Sequence, residues 1–349
     1  MMRSIYLLFS FSTILIIVLI YFGLNGHWIL GILGLSLPIL IAVHIFIFLG
    51  FLLFNPKEIF TPLVVLLFCS IFYNRTFQFR NKDTSSNAPN KEFKLLSYNV
   101  GNTHRNNESA ESYRDWLGAT GADVMVLPEF SSLNTGKFIF KEYLATKGYK
   151  YMHTLVKDEE RGKNYITGLT IFSRHPIVFV KDSLFQELNG IVRADIKMGH
   201  DTVSVFAVHL YSMRLRLDNL IHQRHPDLIE AASMETLQKI KSGFVHRKKE
   251  VDLLLDWVSE TPYPAVIGGD FNETPYSYSY SNLDGRFKNA FEEKGSGFGF
   301  TFAGLPKFIR IDHQFFDPQQ IEVLHFKTMN TVKHSDHFPI LGTYKLIEK

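Results

Sequence analysis

Three apolar runs at the start of the chain constrain its fold more than any other feature. Ile5 to Leu24 is a run of 20 residues without a charge, and Trp28 to Phe54 is uncharged, with His44 its only ionisable residue. A third run, Ile59 to Tyr73, is shorter but contains Leu-Val-Val-Leu-Leu-Phe. The first two have the length needed to cross a bilayer core, about 20 residues, and the third is marginal. A secretory signal would be one short stretch with a small-residue cleavage site, not three stretches in series. Three membrane helices are therefore expected, over about 5–24, 28–54 and 59–73, within a transmembrane region 1–74. That makes the chain an integral, multi-pass membrane protein with the lipid bilayer as a partner. His44 is expected to be satisfied by a neighbouring helix, and Pro38 to kink its own. Arg3 and Lys57 on one side against Arg75, Arg80 and Lys82 on the other do not fix an orientation, so the side of the soluble domain stays open.

Beyond Tyr73 charges become frequent and apolar runs short. The stretch 75–92, rich in Ser, Asn, Asp and Pro between Asn81 and Asn90, is assigned as a linker, and 93–349 as the soluble domain. A formal net charge of +3 on 349 residues gives no global case for a nucleic-acid binder. Cys69 is the only cysteine, which excludes an intramolecular disulfide and a cysteine metal site.

The soluble domain reads as many short strands with few helices between them. Strands are expected around Lys94–Val100, Ala122–Leu127, Tyr149–Leu155, Thr167–Ser173, Val192–Ile196 and Val203–Leu210, with a strand pair around Ile321 to Lys327. Helices are expected over Glu111–Leu117 and Lys137–Thr146, and helical pattern dominates from Arg214 to Glu260. Tyr276 to Ser281 and Gly295 to Gly299 read as loops. This pattern suggests two stacked, mostly antiparallel sheets flanked by helices.

Polar residues recur where these strands stop. The clearest case is Val266-Ile-Gly-Gly-Asp270-Phe-Asn272, an apolar strand that ends with an acid and an amide two positions apart. Residues i and i+2 of a strand share a face, so both can reach one small ligand. Asn99, Glu129, His209, Asp312, Asp336 and His337 lie at other strand ends. The carboxylates of Glu129 and Asp336, with Asp270 in reserve, are hard oxygen ligands suited to Mg²⁺ or Mn²⁺. The amides of Asn99 and Asn272 can orient a phosphate, and two histidines with a spare acid give a proton-transfer pair. No Gly-rich loop followed by Lys-Ser/Thr is present, so P-loop nucleotide chemistry is not supported.

In their order along the chain, Ser97-Tyr-Asn99, Leu127-Pro-Glu129, Val208-His209-Leu, Gly268-Gly-Asp270-Phe-Asn272, Ile311-Asp312-His313 and Ser335-Asp336-His337 resemble the endonuclease/exonuclease/phosphatase superfamily. The resemblance runs from about Phe93 to Tyr344 and implies an α/β fold, a four-layer sandwich with its site at one rim. It implies a Mg²⁺-dependent hydrolase of phosphoester bonds, with Mn²⁺ as a substitute. Asn99, Glu129 and Asp336 then match metal-side positions. His209 matches a phosphate-contacting or proton-donating position, and Asp270 and Asn272 match the pair that positions water and phosphate. Asp312 matches the acid that orients His337, with the general base shared between His337 and Asp270. Pro128 stands where the family more often carries Gln, and Gln314-Phe-Phe-Asp317 departs from the usual continuation. His313, His334, Tyr211 and Arg247 are candidates to line the cleft.

The substrate stays open, because one such site serves many phosphoesters. A membrane-anchored hydrolase of lipid headgroups or small phosphorylated molecules is slightly favoured, because tethering raises the local headgroup concentration. The alternatives are a membrane-anchored nuclease and a catalytically inactive membrane scaffold. Arg214 to Glu250 carries eight Lys/Arg against five Asp/Glu, which reads as a solvated helical face.

Overall fold

The structure, a computed structural model, describes residues 2–79, 92–101, 110–131, 140–156, 167–213, 226–304 and 308–347. The chain opens with helices α1 (Met2–Tyr21) and α2 (Trp28–Phe54), followed by α3 (Phe60–Cys69), a 3-10 turn Ser70–Phe72 and the short α4 (Tyr73–Thr76). Two helices, Arg3–Tyr21 and Trp28–Phe54, are long and apolar enough to cross a membrane, whereas the third apolar stretch, Phe60–Thr76, is shorter. At about 1.5 Å per residue the 20 and 27 residues of α1 and α2 extend about 30 and 40 Å. Pro38 lies inside the continuous helix α2. His44 is fully buried between helices: Tyr6 Oη lies 3.1 Å from Nδ1, and Thr13 Oγ1 lies 3.2 Å from Nε2. The partners of this lone imidazole are thus neighbours in the helical bundle.

The soluble part is a sandwich of two six-stranded sheets. The first combines β1 (Glu92–Ser97), β2 (Val124–Ser131), β3 (Tyr151–Leu155), β4 (Thr167–Ser173), β11 (Ile321–Thr328) and β12 (Ile340–Leu346), in the order β11-β12-β1-β2-β4-β3. The second combines β5 (Ile177–Gln186), β6 (Asn189–Met198), β7 (Asp201–His209), β8 (Ala265–Asp270), β9 (Lys288–Asn289) and β10 (Asp312–Phe316), in the order β5-β6-β7-β8-β10-β9. Each sheet contains one parallel pair, β1 with β2 and β7 with β8, while the other pairings are antiparallel. The expected two-sheet, mostly antiparallel sandwich is therefore present, as mixed sheets.

Strand periodicity explains the layering. In β2, Val124 and Val126 enter the core between the sheets, and Met125 and Leu127 pack outward against α5 (Ala110–Ala119) and α6 (Phe140–Thr146). In β7, Val205 and Ala207 face the other sheet; Phe206 and Val208 face Val251, Leu254 and Val258 of the long helix α7 (Pro226–Glu260). Both faces of these strands are covered, so their sequences read as apolar runs without alternation.

Several elements differ from the sequence reading. The expected strand pair around Ile321 to Lys327 is the single strand β11, paired with β12. Tyr276 to Ser281, read as a loop, contributes to helix α8 (Tyr278–Asp284), which Ser277 caps by accepting from Tyr280 N. The strand β5 was not anticipated. Residues 137–139 of the expected helix Lys137–Thr146 lie outside the described residues, as do 214–225 of the basic segment. Residues 75–79 of the assigned linker pack on the sandwich, through an antiparallel bridge from Gln78 to Gly297, and 80–91 lie outside the described residues.

The helical region meets the sandwich close to the end of β8. Asn25 Nδ2 donates to Tyr276 O (3.0 Å), and Thr76 Oγ1 lies 2.7 Å from Tyr276 Oη. Arg75 donates to Pro275 O (3.2 Å), Ser281 Oγ (3.0 Å) and Asp284 Oδ2 (2.7 Å). Tyr276 itself packs with Ile17, Ile20, Leu37, Val65 and Phe72 in an apolar cluster of the helical region.

Candidate active site

The strand order brings the polar strand ends to one rim. Parallel neighbours release their C-termini on the same edge, and an antiparallel partner begins there. His209 pairs in register with Asp270, and Asp270 with Asp312, so three functional groups stand in a row across β7, β8 and β10. Gly269, at φ +145, lies where a Cβ would meet Val208 O at 2.0 Å, so only glycine allows this close strand approach. The other sheet supplies Asn99 beyond β1 and Glu129 in β2, and His337 precedes β12.

Two of these residues have backbones that side chains rarely adopt. Glu129 has φ 57 and Asn272 has φ 50. Glu129 sits where the register between β2 and β4 shifts, between Leu127 and Phe130. The irregularity turns its carboxylate out of the strand pattern and toward the rim. Strained positions of this kind cost about 1–3 kcal/mol and persist where surrounding structure imposes them.

Asn99 joins the two sheets. Its Nδ2 donates to Asp270 Oδ2 (2.9 Å) and to Glu129 Oε1 (3.3 Å), while its Oδ1 accepts from Gly101 N (2.9 Å). His337 Nδ1 pairs with Asp312 Oδ2 at 2.8 Å, which turns its Nε2 toward Asp270 Oδ2 at 3.8 Å. Thr301 Oγ1 accepts from Asp312 N (3.1 Å) and Ile311 N (3.0 Å), fixing the strand that carries the acid. Burial works against a charged His337, but the carboxylates of Asp312 and Asp270 prevail and raise its pKa to about 10. His209 Nδ1 lies 3.0 Å from Leu188 O, a group that only accepts, so Nδ1 carries the proton. Its Nε2 then faces Glu129 Oε1 at 3.6 Å and Asp270 Oδ2 at 4.0 Å. This Nε2 and Asp312 Oδ1 are buried and have no hydrogen-bond partner. Buried polar atoms are normally satisfied, so these two point to a ligand that the rim is built to receive.

Asn272 is part of the same rim. Its N–H donates to Asp270 Oδ1 (2.8 Å), fixing that carboxylate, and its Nδ2 donates to Leu210 O (2.9 Å). Asp336 follows Ser335, whose Oγ donates to Asp336 Oδ1 (3.3 Å) and to Gly101 O (2.8 Å), and the Asp336 charge adds to those that raise the His337 pKa. Among the described residues, the compact group of acids and histidines is Asp270, Asp312 and His337, within 4.8 Å of one another, without Glu129 or Asp336.

The four further cleft candidates are held in other ways. Arg247 is fully buried, with Nε donating to Glu273 Oε1 (2.8 Å) and Nη1 to Tyr211 O (3.0 Å). His313 Nε2 lies 2.9 Å from Glu273 O, and burial, helped by the charge of Arg310, lowers its pKa to about 3. His334 packs near the rings of Tyr113 and Trp116, and Tyr211 stacks on His246. These contacts support the rim from behind. Sequence reasoning missed Thr301 and Leu188, whose contributions are a hydroxyl and a carbonyl with no sequence pattern of their own.

The donor set suits a hard divalent cation. Glu129 and Asp270 converge on a single amide, and the Glu129 side chain keeps 32% of its exposure. A Cβ at Gly101 would meet Glu129 Oε2 at 2.2 Å, so the space beside that oxygen exists only because residue 101 is glycine.

Comparison with known proteins bears on the fold and the family of the chain. A model of a domain of unknown function matches residues 1–76. No curated protein matches the chain. Solved structures with the same fold include a humanized D. rerio TDP2 (16% identity, TM-score 0.52, 73% of this chain and 99% of that one). The human Nocturnin catalytic domain with bound sulfate is similar at 12% identity and TM-score 0.50, over 76% of this chain and 97% of that one. A family protein from Leptotrichia buccalis C-1013-b is similar at 16% identity and TM-score 0.50, over 73% and 100%. The Endonuclease/Exonuclease/phosphatase family model matches residues 96–337, and the chain belongs to this family of metal-dependent phosphoester hydrolases.

Proposed function

We propose that this protein is a membrane-anchored, Mg²⁺-dependent phosphoester hydrolase whose substrate is a lipid headgroup or small phosphorylated molecule. The observation that carries the reading is the convergence of Asn99, Glu129, His209, Asp270, Asp312 and His337, from separate strands of two sheets, on one rim with two orphaned polar atoms. Bilayer anchoring rests on the two long apolar helices, with the shorter Phe60–Thr76 as a third span of a multi-pass region 1–74.

Glu129, with Asp336 and the Asn99 amide, would hold the cation, which supplies charge neutralisation at the phosphoryl oxygens. Asn99 contributes chiefly by fixing the two carboxylates, since its oxygen is engaged by Gly101 N. Asp270, between the imidazoles of His209 and His337, orients the attacking water and accepts its proton, while His337, held charged by Asp312 and Asp270, is a proton donor toward the phosphate. Asp312 holds the His337 ring in one orientation and stabilises its charge. His209 Nε2 faces the phosphate, and Asn272 fixes Asp270 through its backbone N–H. Asp270, Asp312 and His337 lie within 4.8 Å of one another, close enough to share an ion, but Asp312 already engages His337 Nδ1, so we assign them to proton handling.

The test is turnover of a p-nitrophenyl phosphodiester by the full chain in detergent, with Mg²⁺, Mn²⁺ or EDTA. Metal-dependent turnover is expected, with a loss of about 10³-fold in Asp270→Ala and in His337→Ala. A smaller but clear loss is expected in Asp312→Asn, with unchanged unfolding temperature. A folded protein without metal-dependent turnover would overturn the reading, and full activity in Asp270→Ala would overturn the site.

A further inference from the structure

A groove of about 890 Å³ lies beside the rim, where Phe298, Phe300, Phe302, Phe308 and Phe338 share the lining with glycines and polar residues such as Ser296, Thr328 and Asn330. Its size is that of a site for a sizeable apolar ligand. One end reaches the proposed catalytic centre: the Phe302 ring sits edge-on to His337, centroids 5.0 Å apart, and Phe338 is the next residue in the chain. The other end reaches the helical region. Gln78 and Gly297 exchange backbone hydrogen bonds of 2.9 and 2.7 Å, two residues past α4. From there the rings form a ladder. Phe77 meets Phe298 at 5.0 Å, Phe298 stacks on Phe300 at 5.2 Å, and Phe300 meets Phe308 at 5.6 Å.

This ladder is not a sealed core. Phe79 is 73% exposed, Phe298 49% and Phe308 72%. Large aromatic side chains left open in one contiguous patch mark a surface made to meet another apolar phase. Here the patch is continuous with the apolar helices, and aromatic rings are favoured at the level where a bilayer meets water. The chain carries Lys327 and Lys294 at the groove walls, cations compatible with an anionic lipid surface.

We infer that this groove holds the acyl chain of a lipid phosphoester whose headgroup is hydrolysed at the His337 end. The inference rests on the phosphoester-hydrolase reading and narrows its substrate to an amphiphile. The chain lies along Phe298, Phe300 and Phe308, and the phosphate reaches Asp270 and His337 past Phe302. A lipid held this way stays continuous with the leaflet beside α4 while its phosphoester is cleaved.

The experiment compares two substrates that differ only in the chain: oleyl p-nitrophenyl phosphate and methyl p-nitrophenyl phosphate. Water adds to phosphorus, the P–O bond to p-nitrophenolate breaks, and the alkyl phosphate is the second product. The full chain in detergent micelles is expected to favour the oleyl ester in kcat/KM. Phe298→Ser, Phe308→Ser and the groove-filling Ala303→Trp are expected to lower kcat/KM for the oleyl ester on the order of tenfold. The same variants should leave the methyl ester within about twofold, which also shows that they fold. Equal losses on both esters, or an oleyl rate that the variants do not change, would overturn the groove. Turnover of the methyl ester by the wild type with no oleyl preference would overturn the groove alone. Turnover of neither ester with metal would overturn the hydrolase reading with it.

Discussion

Single residues behind the rim carry as much information as those on it. Glu250 is buried and accepts from Tyr211 N (2.8 Å), two residues past His209. Burial raises its pKa from 4.5 to about 7, against the pull of that N–H and of the Arg247 charge. The folded state therefore binds this proton more tightly than the unfolded chain. Its contribution is fully present below about pH 4.5 and is lost as pH rises through about 7. Glu250→Gln keeps an acceptor for Tyr211 N and removes the titration. The variant should gain on the wild type between pH 5 and pH 8, by up to roughly 3 kcal/mol. Denaturant unfolding at both pH values checks this; an equal difference at both would contradict it. Nothing in the sequence marks Glu250, because its shift comes from packing. Asp270 and His337 were legible because their residue types and order carry chemistry. The contacts of Asn99, which set its role as a bridge, were not.

At the scale of elements, the close fit of α2 on the sandwich depends on small residues three apart. A Cβ at Gly31 would meet ring atoms of Phe244 at 2.5 Å, and one at Gly34 would meet Tyr276 O at 2.8 Å. The second neighbour is backbone and cannot rotate away. Tyr276 is four residues past Asn272, so Gly34→Leu must displace the segment that leaves the active rim. We expect it to lower turnover of a water-soluble phosphodiester about tenfold or more, whereas Gly50→Leu is silent, because nothing lies within 4 Å of a Cβ there. Equal activity in the two variants would show that helix docking does not position the rim. The apolar runs made α1 and α2 legible, but the docked face of α2 was not, since its glycines also suit a lipid-facing helix. Helix α8 was hidden for another reason: Tyr and Ser have modest helix propensity, and its start depends on the Ser277 cap.

For the whole molecule, the consequence is that the helical region and the sandwich share a core. The near end of the helices contributes Asn25, Phe72, Arg75 and Thr76 to the contact, and the far end carries Arg3 and Glu58, 3.5 Å apart. Arg310 is buried and donates to Arg75 O (2.6 Å), with its guanidinium 3.7 Å from the Phe291 ring centroid. A fragment of residues 90–349 would leave Tyr276 and Phe244 uncovered and deprive Arg310 of that acceptor. Removing one partner of a buried charged donor costs about 1.5–3 kcal/mol, and the exposed rings add to it. The fragment is therefore expected to unfold at a lower temperature than the full chain in detergent and to lose activity. A fragment as stable and as active as the full chain would refute the shared core.

The sequence by itself determined the class of the protein. Uncharged runs of 20 and 27 residues exceed ordinary strand length and read as helices, and six motifs in family order imply a sandwich with acids and histidines at its strand ends. These are local or ordinal properties, written in residue type and spacing. Only the tertiary structure decided that Asn99 bridges two carboxylates, that Asp270, Asp312 and His337 form one compact group, and that the helices lock onto the segment after Asn272. It also placed the aromatic groove between α4 and His337. Each of those facts depends on which surfaces meet across long sequence separations, and packing between distant segments has no signature in any one of them.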